Sequence, residues 1–166
     1  YQIAAAAHHL NLLYPDKTSL FADNDPPLFF FLGGLIDYLT DDAIIVDLHA
    51  ETTSEKMAMG HFCDGRASLV VGTHQHIPTA DAQIFPGGTA FQADAGACAD
   101  YDSVIGMDKA EPLQRFTRKM SSQRYSPATG PATLCAVFVQ TGARGLASRI
   151  EPVRVGGRLK QTLPEL

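Results

Sequence analysis

Ala43-Ile44-Ile45-Val46-Asp47-Leu48-His49-Ala50-Glu51 and, a helix's length further on, Ala67-Ser68-Leu69-Val70-Val71-Gly72-Thr73-His74-Gln75-His76 set the architecture. Each opens as a short, continuous apolar run, as expected of strands buried on both faces of a parallel sheet. Between them, Thr52-Thr53-Ser54-Glu55 supplies cap hydroxyls and an early acid, which is a helix start. Ser54 reads as a plain N-cap rather than an anion site. Lys56 to Phe62 continues the helix, and Asp64-Gly65 ends it. Strand, helix and strand make a βαβ unit with a right-handed crossover.

Working outward, residues 1–25 give little pattern beyond the loop signals Pro15-Asp16 and Asp23-Asn24-Asp25-Pro26-Pro27. Leu28 to Leu39 reads as a mostly buried helix. On the other side, Gln83–Phe85 and Thr89–Ala93 flank Pro86-Gly87-Gly88 as a hairpin. Asp108 to Lys119 reads as an amphipathic helix with Leu113 and Phe116 facing inward. Ala132–Gln140 and Leu146–Val155 form a C-terminal antiparallel hairpin around Thr141–Gly145. With no repeats and no linker, residues 1–166 are expected to form a single α/β domain.

The 166 residues carry 13 Lys+Arg against 18 Asp+Glu, a net charge of −5. That balance excludes an extended nucleic-acid partner, which needs a basic face, but leaves room for one nucleotide. Cys63, Cys98 and Cys135 are too scattered for a disulfide framework. They read as free, buried, unreactive thiols of a reducing, cytoplasmic compartment. No run reaches the roughly 18–20 apolar residues of a membrane span, and no cleavable leader is visible. No membrane partner is expected.

His49 and the pair His74 and His76 stand where the two runs end. In open α/β sheets ligands bind at the carboxyl ends of strands. Neighbouring strands would therefore bring three imidazoles into one volume, a transition-metal site. Asp47, Glu51, Thr73 and Asp81 are candidate outer partners that orient the rings. The plain alternative is that these are surface or core histidines, since a bare His-x-His carries little information. Asp81 and Asp94 lie close in sequence, as added carboxylate ligands or as turn caps. Arg66 reads either as a phosphate contact or as a loop charge. Asp100-Tyr101-Asp102-Ser103 reads either as a cation seat or as a solvated loop. His8-His9 and His61 have no supporting context.

Taken together, these strings resemble a known family. Asp47-Leu48-His49-Ala50-Glu51-Thr52-Thr53-Ser54-Glu55-Lys56 is similar to its D-F-H-A-E-A-T-S-E-K segment. Asp64-Gly65-Arg66-Ala67-Ser68 and Val70 through Asp81 resemble its D-G-R-x-S and V-V-G-T-H-T-H-V-x-T-A-D segments. Pro86-Gly87-Gly88-Thr89-Ala90, Asp94-Ala95-Gly96 and Tyr101 through Met107 continue in the same order. The family is that of the YmdB-like metallophosphoesterases, 2′,3′-cyclic-nucleotide 2′-phosphodiesterases. Residues 43–166 match well. Residues 1–42 match loosely, chiefly at Asp23-Asn24-Asp25-Pro26.

The resemblance implies a layered α/β metallophosphoesterase sandwich, incomplete at its N-terminal side. It implies two transition metals, iron or manganese, with His49 and His74 on one and His76 on the other. The substrate would be a small phosphodiester, a cyclic nucleotide opened by a hydroxide activated between the metals. The family's first half supplies an Asp, a Glu, two Asn ligands and a proton-donating His, and no segment here matches it. No catalytic residue is therefore assigned in this chain. Its opening at Tyr1 implies a C-terminal portion whose missing ligands come from a preceding half, a second chain or a homo-oligomer. A partly exposed sheet edge is expected where that half docks. Within the match, Gln75 stands where threonine is frequent and Phe91 where tyrosine is. Ala97 and Ala99 replace methionine and glycine. Two other readings stay open: a non-catalytic paralogue serving binding or assembly, with Leu28–Leu32 as a partner surface, and a mononuclear three-His hydrolase of another ester.

Overall fold

The computed structural model describes residues 43–142 and 144–165. The helix expected at Leu28–Leu39, the loop signals before it and His8-His9 lie outside the described residues. In chain order the elements are β1 (Ile45–His49), α1 (Thr53–Phe62), β2 (Leu69–Thr73), β3 (Gln83–Ile84) and β4 (Ala90–Gln92). They are followed by β5 (Ala99–Asp100), α2 (Ala110–Arg118), β6 (Ala132–Thr141) and β7 (Ala147–Val155). The α/β class is as expected. One sheet has the order β1-β2-β4-β3 and the other β5-β6-β7.

β1 and β2 run parallel, from Ile45 opposite Leu69 to His49 opposite Thr73. α1 connects them. Thr52, in extended conformation, caps that helix, its Oγ1 accepting from the Glu55 N–H at 3.3 Å. Ser54 is therefore not the cap. It lies inside the first turn and donates to Thr52 Oγ1. The helix buries Lys56, Met59 and Gly60. Met59 and the C-cap Cys63 pack with Val46, Leu48, Val70, Phe85, Phe91 and Ala93 as the core.

The expectation for β2 holds: Leu69, Val70 and Gly72 are buried and the other two residues half-buried. For β1 it does not. Val46 and Leu48 are buried, while Ile45, Asp47 and His49 are exposed. α1 covers one face of β1, and among the described residues nothing covers the other or pairs with its outer edge. A strand covered on one face shows period-two alternation.

β4 lies parallel to β2, and β3 folds antiparallel onto β4 as the expected hairpin. Phe85 N–H donates to Thr89 O at 2.9 Å, and Gly88 supplies the positive φ of +100° that the turn requires. Gly72 is needed for a different reason. A Cβ there would stand 1.9 Å from Ala93 O and 2.7 Å from Lys56 Cδ. The chain leaving β4 thus crosses the end of β2 at a contact distance that only glycine permits.

The C-terminal hairpin of β6 and β7 forms with Leu134 opposite Val155 and Val139 opposite Ile150. The intervening helix is shorter than expected and faces the other way. Leu113 and Phe116 of α2 are exposed, at 55% and 73%, while Glu111 and Pro112 are buried. Hydrogen bonding outweighs the apolar stripe. Glu111 accepts from the Ser122 hydroxyl at 2.6 Å, from Arg115 Nε at 2.7 Å and from the Ser122 and Gln123 N–H groups.

Those bonds, the Ser122 hydroxyl first and the Arg115 guanidinium second, hold the Glu111 carboxyl down at about 2, against an ordinary 4.5. A carboxyl depressed in the folded state adds stability above its ordinary value and loses it as pH falls toward its folded value. Glu111→Gln is therefore expected to lower the urea midpoint at neutral pH. It should also flatten the fall in stability between about pH 4.5 and 2, measured by urea titrations across that range.

The thiols differ from expectation at one position. Cys63 and Cys135 are buried, but Cys98 is exposed. Burial pushes the Cys63 thiol up to about 11, partly offset by Arg66. The thiolate is the reactive form. A chromogenic disulfide reagent should titrate one thiol quickly in the native protein and the other two only after unfolding in guanidinium.

Candidate functional site

The parallel register brings the histidine-bearing loops together. His49 closes β1 opposite Thr73, and His74 is the next residue of the second loop. His49 Nδ1 stands 3.1 Å from Thr73 Oγ1, and its Nε2 stands 3.1 Å from His74 Nδ1. The two rings meet edge to face at 81°. Both histidines are exposed, so the pair opens to solvent.

The second loop is strained. His74 has φ 126° and His76 φ 64°, both positive without being glycine. Such conformations cost on the order of 1–3 kcal/mol each and persist only where the surroundings enforce them. The enforcing contacts are specific. Gln75 N–H donates to Asp94 Oδ2 at 2.7 Å. His76 O accepts from Ala97 N–H at 3.2 Å and faces the Tyr101 hydroxyl at 3.2 Å. Burial and the Cys135 thiol push the Tyr101 phenol well above its ordinary range, keeping it a neutral donor.

Beneath the loop lies Lys56, with no solvent exposure. Its Nζ pairs with Asp94 Oδ2 at 3.4 Å and donates to Gln75 Oε1. Asp94 is equally enclosed, and its Oδ1 accepts from Gly96 N–H at 2.9 Å. Sequence reasoning missed Lys56. The signal was present: Lys56, Met59, Gly60 and Cys63 follow the i, i+3, i+4, i+7 spacing of a helix's inner stripe.

The other candidates fall as follows. Asp47 is exposed on β1, two residues from His49 and on the same face. Glu51 contributes its backbone carbonyl, which accepts from Gln75 Nε2 at 2.6 Å. Asp81 accepts from Ala93 N–H at 3.2 Å, which makes it a backbone cap. Asp94 is committed to Lys56 and two backbone N–H groups and so does not present a free carboxylate. Arg66 lies 4.6 Å over the Phe62 ring and donates to Phe62 O. Asp100 holds the Asp102 and Gly130 N–H groups, while Asp102 pairs with Lys109 and Arg158. His61 stacks on Phe85.

Among the described residues, no three His, Cys, Asp or Glu side chains converge as a metal-holding group. The expected trio is thus a pair, His49 and His74, with His76 not completing it. The pair is within hydrogen-bond distance, and its spacing is also one that two ligands of a single metal can have. For metal–nitrogen bonds of about 2.1 Å, neighbouring ligand nitrogens stand ~3.0–3.4 Å apart, and the observed separation is 3.1 Å. Imidazole also suits transition metals as a donor.

A family model described as YmdB-like protein matches residues 18–153. The chain belongs to the YmdB-like family. Over 96 residues it is 47% identical to the 2′,3′-cyclic-nucleotide 2′-phosphodiesterase of Bacillus subtilis (strain 168), covering 58% of this chain and 36% of that one. A putative phosphatase/phosphodiesterase of Mycoplasma pneumoniae is 45% identical over 131 residues, 78% of this chain and 46% of its own length. This YmdB-like chain therefore spans half or less of the length of these curated relatives. Among solved structures it resembles a hypothetical protein from Thermus thermophilus, with TM-score 0.72 and 39% identity over 83% of this chain and 54% of that one. It equally resembles a novel phosphatase from Mycoplasma pneumoniae, with TM-score 0.72 and 33% identity over 84% of this chain and 50% of that one.

Losing Asp94 leaves a buried ammonium with only the neutral Gln75 Oε1 as partner and takes the acceptor from two N–H groups, whereas losing Lys56 leaves a carboxylate still held by those N–H groups. Asp94→Ala should cost about 3–5 kcal/mol, and Lys56→Met distinctly less. Guanidinium unfolding of the two variants checks the order.

Proposed function

We propose that this YmdB-like chain is the histidine-bearing part of a metal-dependent phosphoesterase. The substrate would be a small phosphodiester, with 2′,3′-cyclic nucleotides the leading class. The observation that carries the reading is the 3.1 Å approach of His49 Nε2 to His74 Nδ1 at the ends of two parallel strands. The names of the relatives supply the reaction class.

His49 and His74 would hold one metal, and His76 is the candidate ligand to a second, with iron or manganese the proposed ions. Metals at such a site supply Lewis acidity toward phosphoryl oxygens and a lowered water pKa. The chain's own residues supply placement. Thr73 Oγ1 fixes the His49 ring through Nδ1, leaving Nε2 to face His74. Both rings are exposed, so a small anionic ester can reach them. The remaining ligands and the proton donor would come from a preceding half of the protein or from a second chain, a homo-oligomer included. The free thiols, one of them exposed, support a reducing, cytoplasmic setting. Among the described residues no helix is long and apolar enough to cross a membrane.

The test is hydrolysis of 2′,3′-cyclic nucleotides by the whole protein that contains this chain, with metal analysis alongside. Chelation should abolish activity, and manganese or iron should restore it. Thr73→Val should cost roughly 10–100-fold in metal affinity or activity, the range for groups that orient a ligand, and His49→Ala or His74→Ala at least ~100-fold. Full activity in His74→Ala overturns the assignment. Absence of both metal and hydrolysis in the wild type returns the reading to a non-catalytic binding module.

A further inference from the structure

Gln75 sits between the two histidines of the second loop. Its amide spans the gap between the two loops. Nε2 donates to Glu51 O at 2.6 Å, on the loop that follows His49, and Oε1 accepts from Lys56 Nζ. Its backbone N–H is fixed at 2.7 Å on Asp94, the ion-pair partner of that same lysine. One residue thus ties the β1 loop, the β2 loop and the buried Lys56–Asp94 pair together.

We propose that Gln75 is a positioning residue, a clamp that sets the distance between the His49 and His74 rings. Glu51 O is two residues from His49, and Gln75 is adjacent to His74. The hydrogen bond from the Gln75 amide to Glu51 O therefore closes a short ring of contacts whose other side is the His49–His74 approach. With the bond made, the β1 loop cannot lift from the β2 loop without leaving Gln75 Nε2 unpaired. Without it, the loop keeps the Asp94 contact at the Gln75 N–H but loses its side-chain tie to the β1 loop beyond His49. The clamp itself stands on this geometry, while its use in holding a metal rests on the proposed function.

The decisive readout is metal-free: the inter-ring nuclear Overhauser cross-peak between His49 and His74 in the isotopically labelled protein. Gln75→Glu keeps an acceptor for Lys56 but faces the Glu51 carbonyl with a carboxylate. Gln75→Leu removes both bonds. The cross-peak should be present in the wild type and lost in both variants, while the cross-peaks of the β1–β2 pairing, such as Val46 with Val70, persist. An inter-ring cross-peak retained in the variants overturns the clamp, as does its absence from the wild type. Collapse of the β1–β2 cross-peaks along with it also overturns it, since the residue would then be merely structural. A manganese(II) titration runs in parallel. Gln75→Leu should weaken binding roughly 10–100-fold, the range for groups that orient a ligand. A whole protein, containing this chain, that binds neither manganese nor iron sinks the proposed function, and the clamp is then judged on the cross-peak alone.

Discussion

Lys56 and Asp94 form an ion pair with almost no access to water, 3.4 Å apart at the carboxyl end of β2. An unpaired charge in that position would be prohibitive, so each partner commits the other to its place. Lys56 comes from α1, and Asp94 follows β4. The pair therefore joins the crossover helix to the far side of the sheet, over the end of the strand between them. Gly72 makes this approach possible, because its missing side chain leaves the space through which Ala93 and the lysine stem pass. Asp94 then fixes Gln75 N–H and Gly96 N–H, and the loop carrying His74 and His76 is built on those two bonds.

What this foundation supports is strain. Two histidines separated only by Gln75 adopt positive φ without being glycine. A loop held in this way gains no local stability from its own conformation. Its shape follows from Asp94 below, from Ala97 and Tyr101 at the His76 carbonyl, and from Gln75 across the gap. Such residues concentrate where geometry serves a ligand. The same placement explains why His49 is exposed. It lies on the face of β1 that α1 does not cover, in line with Ile45 and Asp47.

Much of the fold could be read from local pattern. The β-branched runs, the Thr52-to-Glu55 start and the Gly88 turn each carry their conformation in a few adjacent residues, and each formed. Two readings failed for a shared reason. A mainly apolar, β-branched run at Ala43–Leu48 and an apolar stripe on Leu113 and Phe116 say that a surface is apolar, not what covers it. Packing settled both, leaving Ile45 exposed on β1, and the Glu111 network turned α2 outward. Of the site, the meeting of His49 with His74 was legible because strand ends in parallel register must adjoin. The role of Asp94 was not, because an ion-pair partner 38 positions away leaves no mark on a carboxylate's neighbours in the sequence.

The sequence by itself determined most of the described secondary elements, though not β5, together with the parallel pairing of the two histidine-bearing strands and the family. Those follow from hydrophobic period, cap chemistry and motif order, all of which are short-range. Only the tertiary structure decided which faces are covered, that Lys56 is buried rather than solvated, and that Gln75 bridges two loops. Each of these is a contact between segments distant in the chain. Its energy depends on what arrives opposite, and the folded sheet alone fixes that.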